Sequence, residues 1–313
     1  MDYQWYPGHM TKARRMMQEN IALIDLLIEL TDARAPQSGR NPDIDTLAKG
    51  KSRIIVLNKA DLADSSVTDA WRAYYEAQGI LTAAADSRKG SGVRQLKPLI
   101  DRACAEKIER NRRRGIMNRP VRAMIAGIPN VGKSTFINSF AGKAVAKTGD
   151  KPGVTKGKQW IRLNKNVELL DTPGILWPKF DDQVIGIRLA ILGSIRDEIT
   201  DEGELAVWLI RYLLEQYPGT LEARYGEGLL PEGMAASEEG NSGVLTQEAG
   251  MLDTPVGPGY DPEHDPALRI LNEIAVRRGC LRPGGIADPA KASRAVIDDF
   301  RAGRLGKITL EKI

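Results

Sequence analysis

Short, almost unbroken apolar runs recur along the first half of the chain: LLIEL (Leu26–Leu30), RIIVL (Arg53–Leu57), ILTAAA (Ile80–Ala85) and VRAMIAG (Val121–Gly127). Runs of this length without polar alternation predict strands buried on both faces. Between them, Val67–Gln78 and Val93–Arg114 have helical length and composition. The alternation predicts parallel strands joined by crossover helices. Gln159–Leu163 and Val167–Leu170 follow as strands around the polar turn NKN, as in a hairpin. Beyond them the pattern becomes helical over Gln183–Leu192 and over Glu204–Gln216, where Pro218-Gly219 stops it. Helical signals resume at Pro266, and Asp288-Pro289 opens a last helix as N-cap and first-turn proline. The fold class expected is α/β, a doubly wound and mostly parallel sheet over residues 1–178, followed by an all-helical domain over 179–313. Residues 226–265 interrupt the second domain with Gly, Glu, Pro and Ser, the composition of an acidic, mobile insertion.

Composition narrows the picture only a little. A chain of 313 residues is long enough for one full core and a smaller one, and a net charge of +4 places any nucleic-acid affinity in local clusters. Cys104 and Cys280 are the only cysteines, which argues against a disulfide framework or a zinc site. The opening MDYQWYPGHMTKARR lacks the apolar core of a signal peptide, and its Asp2, with Glu19 and no serine nearby, suits a mitochondrial leader poorly. The run IALIDLLIEL is short and carries Asp25 and Glu29. A soluble, cytoplasmic protein with no membrane partner is expected.

The chemistry is carried by GIPNVGKST, residues 127–135, a match to G-x-x-x-x-G-K-[ST] with a strand before it and a helix after it. In such a loop successive N–H groups converge on phosphate oxygens at a helix N-terminus. Asn130, Val131, Gly132, Lys133, Ser134 and Thr135 are therefore candidate nucleotide contacts. Lys133 would reach the β- and γ-phosphates and act in catalysis, and Ser134 would offer a hydroxyl to Mg²⁺. Asp171, at the next strand end in DTPG, would hold Mg²⁺ through water, and the Gly174 N–H would meet the γ-phosphate. In the intervening KTGDKPGVTKGKQ, Thr155 is the preferred second hydroxyl on Mg²⁺, with Thr148 and Ser139 as alternatives. Asn58-Lys59-Ala60-Asp61 has the form N-K-x-D directly after a strand. Asp61 would accept from the guanine ring N–H and amino group, donors that adenine does not offer. Lys59 would lie along the base, and backbone N–H groups around Asp86-Ser87 would meet its oxygen. The base reader precedes the phosphate loop, the reverse of the usual order. A parallel sheet tolerates this, because it gathers strand ends in space whatever their order in the chain.

The order N-K-x-D, phosphate loop, D-x-x-G resembles the circularly permuted GTPases. WYPGHMTKA (Trp5–Ala13), DARAPQSGRNP (Asp32–Pro42), GIPNVGKST, RRGCLRPGG and DFRAGRLGKITLE are similar to those of the bacterial ribosome biogenesis GTPase A, or YlqF-like, branch. The resemblance spans nearly the whole chain except the acidic insertion. It implies a circularly permuted Ras-like GTPase domain, and hydrolysis of GTP to GDP coupled to late maturation of the large (50S) ribosomal subunit. It also implies a C-terminal helical domain that contacts rRNA. Ile175 stands where many GTPases carry a catalytic glutamine. The resemblance implies a catalytic contribution from His9, with a purely structural histidine as the alternative. Asn130 matches the asparagine that K⁺-activated GTPases use to bind that ion, or is a plain loop residue.

Two arginine groups fit an RNA partner: Arg110, Arg112, Arg113, Arg114, Arg119 and Arg122 before the phosphate loop, and Arg269, Arg277, Arg278, Arg282, Arg294, Arg301 and Arg304 near the C-terminus. The expected partner is a large-subunit precursor, its rRNA and ribosomal proteins, bound by a free monomer, with no DNA expected. The rival reading is a nucleotide-gated RNA-binding placeholder for which hydrolysis is incidental.

Overall fold

The computed structural model describes residues 15–116, 119–146, 159–163, 166–172, 182–195, 197, 200–229 and 265–313. These fall into two compact units. One contains the described residues from 15 to 172 together with Thr309–Ile313; the other contains those from 182 to 308.

The first unit is built on six strands: β1 (Leu26–Asp32), β2 (Ser52–Asn58), β3 (Leu81–Ala85), β4 (Val121–Gly127), β5 (Gln159–Arg162) and β6 (Val167–Asp171). Their order across the sheet is β3-β2-β1-β4-β6-β5. Every pairing is parallel except that of β5 with β6. All seven residues of β1 are buried, as the central strand of a sheet covered on both faces must be. The register is what matters for function. Asp32 pairs with Asn58, Asn58 with Ala85, Leu30 with Gly127, and Ile125 with Asp171. The C-terminal ends of five strands far apart in the chain thus meet along one edge, where open α/β sheets bind ligands.

Helices cover the sheet as the periodicity requires. Ser65–Ala77 is capped by Asp64, which accepts from the N–H groups of Ser66 and Val67, and it buries Thr68, Trp71 and Tyr75 at helical spacing. Trp71 and Tyr75 join Ala33, Ile55, Leu57 and Ala63 in one apolar cluster. The single helix expected over Val93–Arg114 is instead a short 3₁₀ turn, Val93–Gln95, and two helices, Leu96–Ala103 and Ala105–Arg113. They meet at the buried Cys104, where the Ala103 carbonyl accepts from Ser52 Oγ at 2.6 Å. A side-chain donor thus takes a carbonyl at the junction between the two helices.

In the second unit, Gln183–Ile191, Glu202–Gln216, Pro266–Arg277 and Pro289–Arg301 are capped by Asp182, Asp201, Asp265 and Asp288 respectively. After Gly219 (φ +80°) the chain restarts in a short helix, Thr220–Tyr225, which the sequence pattern did not predict. The helices Pro266–Arg277 and Pro289–Arg301 both pack on Glu202–Gln216. Asp299, on the last of these helices, is buried and accepts from Arg224 Nε (2.7 Å), Arg304 Nε (2.5 Å) and the Tyr225 hydroxyl (3.1 Å). Of the expected insertion at 226–265, only 226–229 and Asp265 lie among the described residues.

No helix among the described residues is long and apolar enough to cross a membrane.

Candidate functional site

Two loops that lie 70 residues apart in sequence are bonded directly to each other. Asn58 Nδ2 donates to the Val131 carbonyl at 2.8 Å, and Lys59 Nζ donates to the Asn130 carbonyl at 2.8 Å. Both loops turn through backbone that L residues seldom adopt: Lys59 and Asn130 each have φ +58°. Gly132 has φ +95°, and a Cβ there would lie 2.6 Å from Asn58 Nδ2. Only glycine lets residue 132 approach the loop at residues 58–61 so closely.

Asn58 is buried and links three strand ends. Its Oδ1 accepts from Ser87 Oγ at 2.6 Å while its amide holds Val131. The Asp86 N–H is already donated to the Ser91 carbonyl, and Asp86 Oδ1 accepts from the N–H groups of Arg88 and Lys89. Of the N–H groups around Asp86-Ser87 expected to meet a base oxygen, that of Asp86 is held within its own loop by Ser91, and the Ser87 hydroxyl is turned to Asn58. Asp61 is half-buried, and its carboxylate has no hydrogen bond or ion pair among the described residues.

Lys133 opens the helix Lys133–Ala141 and is buried. Its Nζ donates to the carbonyls of Gly127 (3.0 Å) and Ile128 (2.7 Å). Burial lowers its pKa to about 8, against the opposing charge of Asp171. Asp171 is buried at the end of β6, and its neighbour Thr172 pins the strand end through Oγ1 to the Ile125 carbonyl at 2.6 Å. Ser134 and Thr135 are half-buried in the first turn after Lys133. The buried carboxylate of Asp171 and the hydroxyl of Ser134, which follows Lys133, are hard oxygen donors of the kind Mg²⁺ uses when phosphates and water complete its shell. Among the described residues no group of three or more His, Cys, Asp or Glu could hold a metal by itself. The donor set fits a metal that arrives with a phosphate ligand.

An open cleft of about 950 Å³ is lined by Ser87, Lys89, Gly92, Thr135, Asn138 and Ser139, among others. Asn138 accepts from the N–H groups of Val145 and Ala146, fixing the chain after the helix. His9, Thr155 and Gly174 lie outside the described residues.

Sequence reasoning missed the support beneath Lys59. Asp32, at the end of β1, receives Arg34 Nε and Nη2 at 2.9 Å each and pairs with Lys59 Nζ at 3.0 Å. All but a trace of the Asp32 and Arg34 side chains is inaccessible. Burial alone would raise the Asp32 pKa, but Arg34 and Lys59 outweigh it and hold the carboxyl well below the usual range. Burial in turn lowers the Lys59 pKa, partly offset by Asp32. The available signal was positional: Asp32 ends the strand beside Asn58.

A G-x-x-x-x-G-K-S loop, an N-K-x-D loop bonded to it and a carboxylate at the neighbouring strand end form the arrangement expected of a GTPase domain whose motifs run in permuted order. The family described as 50S ribosome-binding GTPase matches residues 122–216. The chain is 44% identical to ribosome biogenesis GTPase A of Bacillus licheniformis over 312 residues, covering 100% of this chain and 99% of that protein. It is 35% identical to that of Thermotoga maritima, covering 98% and 94%. The crystal structure of GNP-bound YlqF from T. maritima superimposes with a TM-score of 0.58 at 24% identity, covering 96% of this chain and 98% of that one. The chain belongs to the ribosome biogenesis GTPase A family, and it is a GTPase with the circularly permuted fold.

Proposed function

We propose that this GTPase binds GTP with Mg²⁺ and couples its hydrolysis to maturation of the large ribosomal subunit, which it contacts through rRNA. The observation that carries the nucleotide part is the pair of bonds from Asn58 and Lys59 to the phosphate loop. They bring the two loops together and so support a single site with a base side and a phosphate side. Lys133, buried and beside Asp171, supplies a positive charge where the triphosphate would rest. Ser134 and Asp171 would hold Mg²⁺, which neutralises charge on the transferring phosphoryl group. Asp61 selects guanine. Asn130 is the residue that would take K⁺.

The RNA part rests on exposed cations, and their number is smaller than the sequence suggests. Arg113, Arg122, Arg294, Arg301 and Arg304 pair with Glu109, Glu168, Glu202, Asp197 and Asp299. Arg277 donates to the carbonyls of Gly226, Glu227 and Gly228. Arg110, Arg112, Arg114, Arg269 and Arg278 are exposed and have no ion-pair partner among the described residues. They are the first choice for phosphate contacts. The test is GTP turnover across a titration of large-subunit precursors: a rise supports the reading, and flat turnover sinks it.

Ile175, which cannot orient water, favours a second reading in which nucleotide gates RNA docking and hydrolysis is incidental. Substitution of His9 separates the two. Normal subunit maturation with hydrolysis lost selects the gate.

A further inference from the structure

Thr309–Ile313 follow the helical unit in sequence but belong to the nucleotide unit. Thr309 and Leu310 are wholly buried and Glu311 nearly so. The Asp64 N–H donates to Thr309 Oγ1 at 3.1 Å, the Leu310 N–H to the Arg34 carbonyl at 2.6 Å, and Trp71 Nε1 to the Glu311 carbonyl at 3.1 Å. The Glu311 carboxylate accepts from the N–H groups of Gln37 and Ser38 and from the Ser38 hydroxyl. A carboxylate that ties together two consecutive N–H groups and a hydroxyl fixes the loop it holds, and such charge-assisted bonds are among the stronger ones.

That loop begins at Arg34, whose guanidinium grips both oxygens of Asp32. Asp32 pairs with Lys59, and Lys59 Nζ donates to the phosphate-loop carbonyl of Asn130. A continuous series of polar contacts, Leu310 to Arg34 to Asp32 to Lys59 to Asn130, therefore runs from the C-terminus to the phosphate loop. The first residue of the segment follows directly on Ile308, the end of the helical unit.

We infer that Glu311, with Leu310, positions Lys59 in the guanine-nucleotide site by fixing the loop that carries Arg34. The inference rests on the reading of Lys59 as a residue of that site. Glu311 acts through the Gln37 and Ser38 groups that it holds, and so through the loop whose Arg34 grips Asp32. A load on the helical unit that drew out Thr309–Glu311 would loosen the nucleotide.

The test uses the full-length chain and the dissociation rate of a fluorescent GDP, measured well below the melting temperature of every variant. Wild type is first compared for GDP and ADP; no preference for GDP removes the guanine reading and this inference together. Glu311→Ala should release GDP about tenfold faster, the size of one strong charge-assisted bond. Lys59→Met should also release it faster, and the double variant no faster than Lys59→Met alone, because both act through one series. If Glu311→Ala does not fold, Glu311→Gln, which keeps the side-chain volume but not the charge, takes its place in the cycle. Additive effects in the cycle overturn the inference while leaving the guanine site intact. So does a variant that melts at lower temperature yet releases GDP at the wild-type rate, which would make the tail a stabilising strap only.

Discussion

The approach of the phosphate loop to Asn58 is simple to perturb. Gly132→Ala places a methyl group at φ +95°, 2.6 Å from Asn58 Nδ2. An L residue in left-handed backbone costs about 1–2 kcal/mol. Relieving the contact moves Asn58 away from the Val131 carbonyl it holds at 2.8 Å. A bond of that kind contributes about 0.5–1.5 kcal/mol net. Together the change is about 1.5–3.5 kcal/mol, or about 10- to 300-fold in an equilibrium constant at 1.4 kcal/mol per tenfold. Where that energy appears depends on when the loop must adopt its glycine conformation. If only nucleotide binding requires it, the loss is in GDP affinity; if folding already requires it, the melting temperature falls by about 2–4 °C per kcal/mol. Fluorescent-GDP titration and a thermal melt on the same sample measure both. Gly142→Ala is the control, since Gly142 ends the same helix at φ +66° with nothing within 4 Å. It should lower the melting temperature and leave GDP affinity unchanged. A Gly132→Ala protein with wild-type affinity and wild-type melting temperature would refute the close approach described here.

Three further outcomes follow from the same geometry. Because burial brings Lys133 to a pKa of about 8, GDP binding at pH 8 should take up about half a proton and at pH 6.5 almost none, with affinity falling as pH rises through 8; calorimetry in two buffers of different ionisation heat would contradict this if the heats agreed at pH 8. Asp61→Asn should weaken GDP about 100-fold and admit xanthosine diphosphate, and a competition assay with unchanged preference would remove the basis for guanine selection. Asp299 is buried, which raises its pKa, but its bonds to Arg224, Arg304 and Tyr225 lower it further. A lowered folded-state value means that its contribution is present above about pH 4 and is lost on acidification. Asp299→Asn should therefore destabilise the protein by about 1–3 kcal/mol at pH 7, discounted for two partly exposed arginines, and by much less at pH 3.5; an equal loss at both values in thermal melts would count against it.

The strands were legible because each is a dense apolar run flanked by polar turns, so LLIEL, RIIVL and VRAMIAG could hardly be anything else at that length. Helix ends were legible where an aspartate could cap, as at Asp288. Legibility failed where the deciding partner was remote. Cys104 interrupts a helical pattern at a carbonyl engaged by Ser52, and no local signal marks that. The arginine clusters looked uniformly available in the sequence, yet Arg304 and Arg277 are held by Asp299 and by backbone carbonyls. Asp32 and Arg34 stood in plain view in DARAP, but their use depends on Lys59 reaching them across a strand pairing.

The sequence by itself determined the two loop patterns, because G-x-x-x-x-G-K-S and N-K-x-D are local signals set by backbone freedom and side-chain type. It could not determine that the loops touch, that Lys59 is held from beneath by a buried ion pair, or that the last residues of the chain lock the loop behind that pair. Those facts depend on which strand ends adjoin in the sheet, and adjacency is fixed by the packing of the whole core rather than by the order of residues along the chain.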